Sequence, residues 1–184
     1  LMRMTALPSG DGRIAAWSTK FVGSAGLAES LARGEEKQPS GLRALGSAPP
    51  YNFPHIRIDG ISAQLPIRTG YMRGGEEAVL TFATESFVDE LARALHSEPL
   101  AFRIGMLGGA PRLAKAIMAA ATIGGWDGGA PGSNLGLACA SLYGSHIGLM
   151  AEATIGADQR IKVSRLVAAV DAGQIVNSGL VRQQ

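Results

Sequence analysis

The residues with the clearest potential for binding chemistry are Arg73, Gly74 and Gly75, which lie directly before a long helical pattern. A glycine-rich turn at a helix start brings backbone N–H groups close to a ligand, and the helix dipole favours an anion there. The Arg73 guanidinium adds a fixed charge and a fork of donors that suit an oxyanion or a phosphate. This stretch therefore predicts an anion-binding turn.

The same stretch has a plain structural alternative. Gly-Gly before a helix is more often ordinary turn chemistry, and the acidic pair Glu76-Glu77 is explained by compensation of the helix dipole. Carboxylates beside a bound anion are unfavourable unless they point away from it. The rest of the chain has to decide between the two interpretations.

Composition excludes several other kinds of site. The only cysteine, Cys139, can form neither an internal disulfide nor an iron–sulfur site by itself, and we expect it to be a buried small hydrophobe. Three histidines and one cysteine do not predict a zinc site. A formal charge of +2 without a basic run gives no reason to expect nucleic acid, and no apolar run approaches a membrane span. The G-x-S-x-G elbow, the P-loop and the Rossmann fingerprint are absent from the sequence.

The elements that must position these residues predict an α+β fold, with β-hairpins and a small mixed or antiparallel sheet beside a layer of three helices. Strands are predicted at 2–6, 13–22, 135–143, 146–155 and 160–170, with an extended segment at 51–67 that Pro54 and Pro66 confine to a sheet edge. Helices are predicted at 24–33, 77–95, from Pro99, from Pro111 to Gly124, and from Val176. A turn at Ser9–Gly12 and a surface loop at 35–50 complete the chain.

These elements divide the chain into four segments. They are a β-hairpin of a first cofactor-binding lobe (1–23), a loop or linker (24–50), an extended segment with the helical layer (51–126), and a second β lobe with the start of a helix (127–184). One compact domain is the alternative.

The helix at 77–95 has a clear apolar stripe, formed by Leu80, Thr84, Phe87, Val88, Leu91 and Leu95. Glu85, Asp89 and Arg93 are predicted on its far side, with Asp89 and Arg93 placed to form an ion pair. Phe82 also falls on that side, which predicts burial on more than one face of the first half of the helix.

Several blocks recur in order along nearly the whole chain. They are D-G-R-I-x-A-W at Asp11–Trp17, P-Y-x-x-P-x-x-R at Pro50–Arg57, R-G-G-x(9)-E-S-F-V-D-E-L-A at Arg73–Ala92, the helix Glu98–Arg103, P-R to G-W at Pro111–Trp126, and A-V-D-x-G-x-x-V-N at Ala169–Asn177 with Gln183 beyond it. In type, order and spacing they resemble the large subunit of the molybdenum hydroxylases, the xanthine dehydrogenase and aldehyde oxidase group. Within that group they are most similar to the isoquinoline 1-oxidoreductase β-subunit type.

The resemblance implies a cofactor and its binding residues. The large subunit in this family holds molybdenum through a pyranopterin, usually as molybdopterin cytosine dinucleotide. Arg73 falls on the family arginine near the metal and substrate, and Gly74 and Gly75 let the backbone approach the cofactor. The second cofactor-binding half is matched at Asp171, Gly173, Asn177 and Gln183. Asp171 and Asn177 can equally be a turn residue and a helix cap, and the two roles can coexist.

Some positions depart from the family pattern. Met72 stands where many relatives have tryptophan, Glu76 and Glu77 stand where small or polar residues are usual, and Ala172 and Ser178 replace cysteine and proline. These departures motivate the alternative of a non-catalytic packing or assembly module that keeps the fold but has lost the cofactor site. An unrelated small-ligand binding domain is the third interpretation.

The resemblance also implies an activity for a longer polypeptide. Both ends of the sequence look cut, so we expect a fragment that exposes apolar surface and self-associates. The implied parent is an oxidoreductase that hydroxylates an N-heterocycle or an aldehyde with water-derived oxygen, and an iron–sulfur small subunit takes the electrons. The family's catalytic glutamate would lie beyond Gln183, which predicts no catalytic residue in the fragment and no turnover by it. The compartment, bacterial cytoplasm or periplasm, stays open.

Overall fold

The computed structural model describes residues 1–24, 48–63, 66 and 75–183, and the chain divides into two compact units, Leu1–Phe87 and Val88–Gln184. The predicted helix at 24–33, nearly all of the predicted loop at 35–50, and Met72, Arg73 and Gly74 lie outside the described residues. Within the described part there are two three-stranded sheets and four helices, which confirms the predicted α+β fold. None of these described helices combines the length and apolarity needed to cross a membrane. The division into four segments stays a prediction.

The first unit contains a mixed three-stranded sheet. Strand β1 (Met2–Pro8) pairs antiparallel with β2 (Ile14–Ser24), and β2 pairs parallel with β3 (His55–Ala63), which lies at the sheet edge as predicted. The predicted turn joins β1 and β2, with the Ser9 N–H donating to the Arg13 carbonyl over 2.8 Å. The register shifts between Leu7 and Pro8, which adds one residue to β2 and turns Ile14 and Trp17 to the same buried face.

The core of the first unit is built around Trp17. Its indole stacks on Phe53 with ring centroids 4.9 Å apart and meets Phe87 edge-on at 5.2 Å. The indole Nε1–H donates to the Thr19 hydroxyl over 2.8 Å, so the buried ring leaves no polar group unsatisfied.

Helix α1 (Gly75–Ala94) corrects one prediction about its polar face. Glu85 is not on the solvent side, because it is only 5% exposed and accepts a hydrogen bond of 2.6 Å from the Tyr51 hydroxyl. Ala92 is also buried, so the buried arc is wider than the predicted stripe. Phe82, in contrast, is 75% exposed, so the first half of the helix is not buried on the side of Phe82. The helix begins two residues before its predicted start.

The second unit contains two further helices ahead of its sheet. Helix α2 (Pro99–Met106) is capped by the Glu98 carboxylate, which accepts from the N–H groups of Leu100 and Ala101. Helix α3 (Pro111–Gly124) ends at Gly125 in the left-handed conformation, and the Trp126 N–H bonds back to the Ala121 carbonyl as predicted.

A second correction concerns Asp89. Its ion pair is with Arg103 of α2, at 2.7 Å, rather than with Arg93 four residues along its own helix. The Arg103 side chain is 0% exposed and its Nη1–H also donates to the Pro99 carbonyl. A tertiary contact thus replaces the local pairing because a buried guanidinium requires a partner more than an exposed one does.

The sheet of the second unit is antiparallel throughout, in the order β4-β5-β6. Its strands are β4 (Leu135–Leu142), β5 (Ser145–Ile155) and β6 (Ile161–Asp171), followed by the short helix α4 (Ser178–Gln183). The strands agree with the three that were predicted. Helix α3 packs on one face, where Cys139 is buried as expected and Gly148 lies directly under the helix backbone.

Candidate functional site

The Arg73 turn is only partly described. Arg73 and Gly74 lie outside the described residues, and Gly75 is the first residue of α1. A helix does start where the glycine turn predicts it. The roles assigned to Arg73, Gly74 and Gly75 stay predictions.

The second predicted group of site residues lies in one short stretch after β6. Asp171 is the last residue of the strand, and its carboxylate accepts the Gly173 N–H over 3.0 Å. Gly173 has φ of +72°, a conformation that glycine adopts without strain. Asn177 caps α4, since its side-chain oxygen accepts the Leu180 N–H over 3.1 Å, and Gln183 is the last residue of that helix. Asp171 and Asn177 therefore have the structural roles of turn residue and cap.

Arg112 is the residue that the sequence did not connect to this stretch. From the first turn of α3, its Nε and Nη2 donate to the two Asp171 oxygens over 2.8 and 2.6 Å. Its Nη1 also donates to the Gly144 carbonyl over 3.3 Å. The pair spans 59 residues, and no local pattern connects positions so far apart. The bidentate contact fixes the end of β6 to the start of α3.

This ion pair sets the charge of the turn. The hydrogen bonds from Arg112, then the Gly173 N–H, hold the pKa of Asp171 well below its usual range. The hydrogen bond from Asp171 in turn raises the pKa of Arg112. Both groups are therefore charged at neutral pH, and the negative charge at the turn is offset locally.

Asp171 also ends a row of Ser141, His146 and Asp171 across the three strands. The Ser141 hydroxyl lies 2.7 Å from His146 Nδ1. The Asp171 oxygens bind Arg112 and Gly173 rather than the imidazole, so the row does not form the nucleophile–base–orienter chain of a hydrolase. Among the described residues, no group of three or more His, Cys, Asp or Glu side chains is placed to hold a metal ion.

The Asp171–Arg112 pair makes a stability prediction that depends on pH. Because the pKa of Asp171 is lowered on folding, its contribution is complete above the unfolded-state value of about 3.9 and is lost as the pH falls towards the folded value. The free energy of unfolding of wild-type protein should therefore exceed that of Arg112→Gln at pH 6, and the difference should shrink below about pH 4. Urea unfolding at a series of pH values measures this.

Lys115→Gln provides the control for that experiment, since Lys115 is an exposed cation on the same helix. Its difference from wild type should not follow the titration of Asp171. A difference between wild type and Arg112→Gln that is constant from about pH 6 to about pH 3 would show that the pair does not stabilise the fold.

Comparison with known proteins assigns the chain to a family. The family model described as the molybdopterin cofactor-binding domain matches residues 1–105, more than half of the chain. The beta subunit of isoquinoline 1-oxidoreductase from Brevundimonas diminuta is 33% identical over 146 residues, covering 76% of this chain and 19% of that protein. The second subunit of nicotinate dehydrogenase from Pseudomonas putida is 33% identical over 135 residues, covering 69% of this chain and 11% of that protein.

The chain thus spans about a fifth and about a tenth of the lengths of these two relatives. The relatives are named as subunits of oxidoreductases, and the first name agrees with the branch that the sequence blocks indicated. The resemblance is therefore confirmed, and the chain belongs to the molybdopterin cofactor-binding domain family of oxidoreductase subunits.

Proposed function

We propose that a polypeptide containing this chain is the cofactor-binding subunit of a molybdenum-dependent oxidoreductase that hydroxylates an N-heterocycle or an aldehyde with oxygen from water. The family match over residues 1–105, which includes the whole Arg73 turn, is the observation that carries this proposal. Isoquinoline and nicotinate, in the names of the two relatives, are both nitrogen heterocycles. The N-heterocycle is therefore our first choice of substrate class.

The proposed cofactor is molybdenum–molybdopterin cytosine dinucleotide. Arg73 would provide a fixed cation for its anionic part, and Gly74 and Gly75 would let the backbone come close. Asp171, Gly173, Asn177 and Gln183 would form the second contact region. When bound, the cofactor supplies the two-electron oxidation of the substrate carbon.

The geometry of the Asp171 turn fits such an anionic group. Residues 172–177 are all exposed, and no atom lies closer than 3.7 Å to the position of a Cβ on Gly173, so the backbone there is open to a ligand. The charge of Asp171 is offset by Arg112, which reduces its repulsion of a phosphate. The Asp171 and Asn177 side chains are already hydrogen-bonded inside the protein. Their proposed role is therefore to shape the turn, and its backbone would meet the cofactor.

The proposed partner is an iron–sulfur small subunit. The single cysteine of the chain, Cys139, is buried in β4 against α3, where it packs as a core residue. A cluster held by cysteine thiolates therefore needs another polypeptide, and that polypeptide would receive the electrons.

Cofactor retention by two matched arginine variants tests this assignment. In the polypeptide purified with its partner, Arg73→Gln should lower the molybdenum and cytosine nucleotide that survive gel filtration by about tenfold or more, because a hydrogen bond to a charged group contributes about 1.5–3 kcal/mol. Arg68→Gln, five residues earlier, should retain both at the wild-type level. Equal retention by both variants would remove Arg73 from the site and favour the packing-module alternative.

A further inference from the structure

One face of the second sheet is apolar from strand to strand. Helix α3 covers the other face, where Leu137, Cys139 and Met150 are buried and Gly148 meets the helix. Since side chains alternate between the faces of a sheet, the intervening positions point away from α3. We call this side the open face, and its centre is formed by Ala138, Ala140, Ile147, Leu149, Leu166 and Val170.

The open face has the composition of an interior. An antiparallel sheet with one solvated face normally alternates apolar and polar residues. The first sheet follows this rule: Lys20 faces Arg3 and Asp59 across the strands, on the side away from buried Thr19. In the second sheet, the residues of the open face between 136–142, 147–151 and 166–170 include no charged side chain.

The side chains of the open face are nevertheless accessible in the monomer. Leu166 is 61% exposed and Val170 is 57% exposed, both on strand β6. Single exposed apolar residues are ordinary, but a contiguous apolar patch across three strands indicates a surface that another layer covers.

We propose that the open faces of two copies of this chain pack against each other as the interface of a homodimer. A face without charges brings no like charges together when it meets an identical face around a two-fold axis. Sheets stack face to face about 10 Å apart with their strands inclined by about 30°, so each copy would supply the second layer that the other lacks.

The size of the open face is consistent with a dimer interface. Three strands about 4.8 Å apart, with roughly seven to eleven residues each at about 3.4 Å per residue, present roughly 500–600 Å² of accessible surface per copy. Two copies together would bury roughly 1,100 Å², near the lower limit for a specific interface. This predicts a dissociation constant in the micromolar range rather than an obligate dimer.

Sedimentation equilibrium of the 184-residue chain between about 1 and 200 μM tests the proposal, which does not require bound cofactor. Wild-type protein should be a reversible dimer. Leu166→Lys should raise the dimer dissociation constant about 100-fold or more, because an unpaired ammonium would be buried in an apolar interface. Ile123→Lys, a similar change at a 70% exposed position on α3, should leave the dissociation constant unchanged.

Circular dichroism should show native secondary structure for both variants, since both positions are exposed in the monomer. Val170→Lys gives a second probe of the same face if Leu166→Lys does not fold. A monomer throughout the concentration range, or a dimer that survives both Leu166→Lys and Val170→Lys, would overturn the proposal. The first result would mean that another polypeptide segment covers the open face.

Discussion

Gly148→Ala is expected to destabilise the second unit by about 3 kcal/mol, near the upper end of the usual cost of overpacking. An added Cβ at this position would lie 2.4 Å from Ile117 Cα and 2.5 Å from the Ala116 carbonyl oxygen. These are backbone atoms of α3, so the clash cannot be relieved by rotating a side chain, and the helix has to move away from the sheet. Urea unfolding of the variant measures the loss.

Gly136→Ala is the matched control for Gly148→Ala. Gly136 lies on the neighbouring strand β4, and nothing lies within 4 Å of the position that an added Cβ would occupy. We expect a change in the free energy of unfolding of less than about 0.5 kcal/mol there. A Gly148→Ala variant as stable as Gly136→Ala would contradict the close contact between α3 and β5.

The second large effect is expected at Arg103. Replacing this 0% exposed side chain with methionine should destabilise the protein by about 3 kcal/mol or more, because the Asp89 carboxylate at 2.7 Å loses its cation. Asp89 is partly exposed, and water access places the effect nearer the lower end of the range for a broken buried pair. Introducing Asp89→Asn into the Arg103→Met variant should recover part of the loss, since a neutral amide costs less to leave without a cation.

Arg93→Met separates this account from the local pairing that the sequence suggested. Arg93 is exposed on α1, four residues after Asp89, and its replacement should cost less than about 0.5 kcal/mol. A larger loss for Arg93→Met than for Arg103→Met, measured by denaturant midpoints, would restore Arg93 as the partner of Asp89.

Local features of the fold were predictable because short-range chemistry determines them. The Ser9–Gly12 turn, the glycine that ends α3 and the Asn177 cap each depend on residues a few positions apart. The wrong predictions concern α1, where helical spacing placed Glu85 with the solvent-facing residues. Its burial follows from Tyr51, 34 residues earlier in the chain, which no helical periodicity includes.

The candidate site shows the same division. Asp171, Gly173 and Asn177 were identified because they form one sequence block, and the structure places them in one turn. Their connection to Arg112 depends on how α3 crosses the sheet, which is a property of the tertiary fold. Arg73 and Gly74 lie outside the described residues, so their role is a prediction that depends on family resemblance.

The central claim is that this family member binds a molybdenum-containing dinucleotide cofactor. The most direct test is the molar ratio of molybdenum and of cytosine nucleotide to the polypeptide that carries this chain. Both are measured after purification with the small partner polypeptide, molybdenum by elemental analysis and the nucleotide by analysis of the denatured protein. We predict a ratio close to one for both. Well-folded protein that contains neither molybdenum nor cytosine nucleotide would contradict the claim, and the chain would then be a packing module that keeps the family fold.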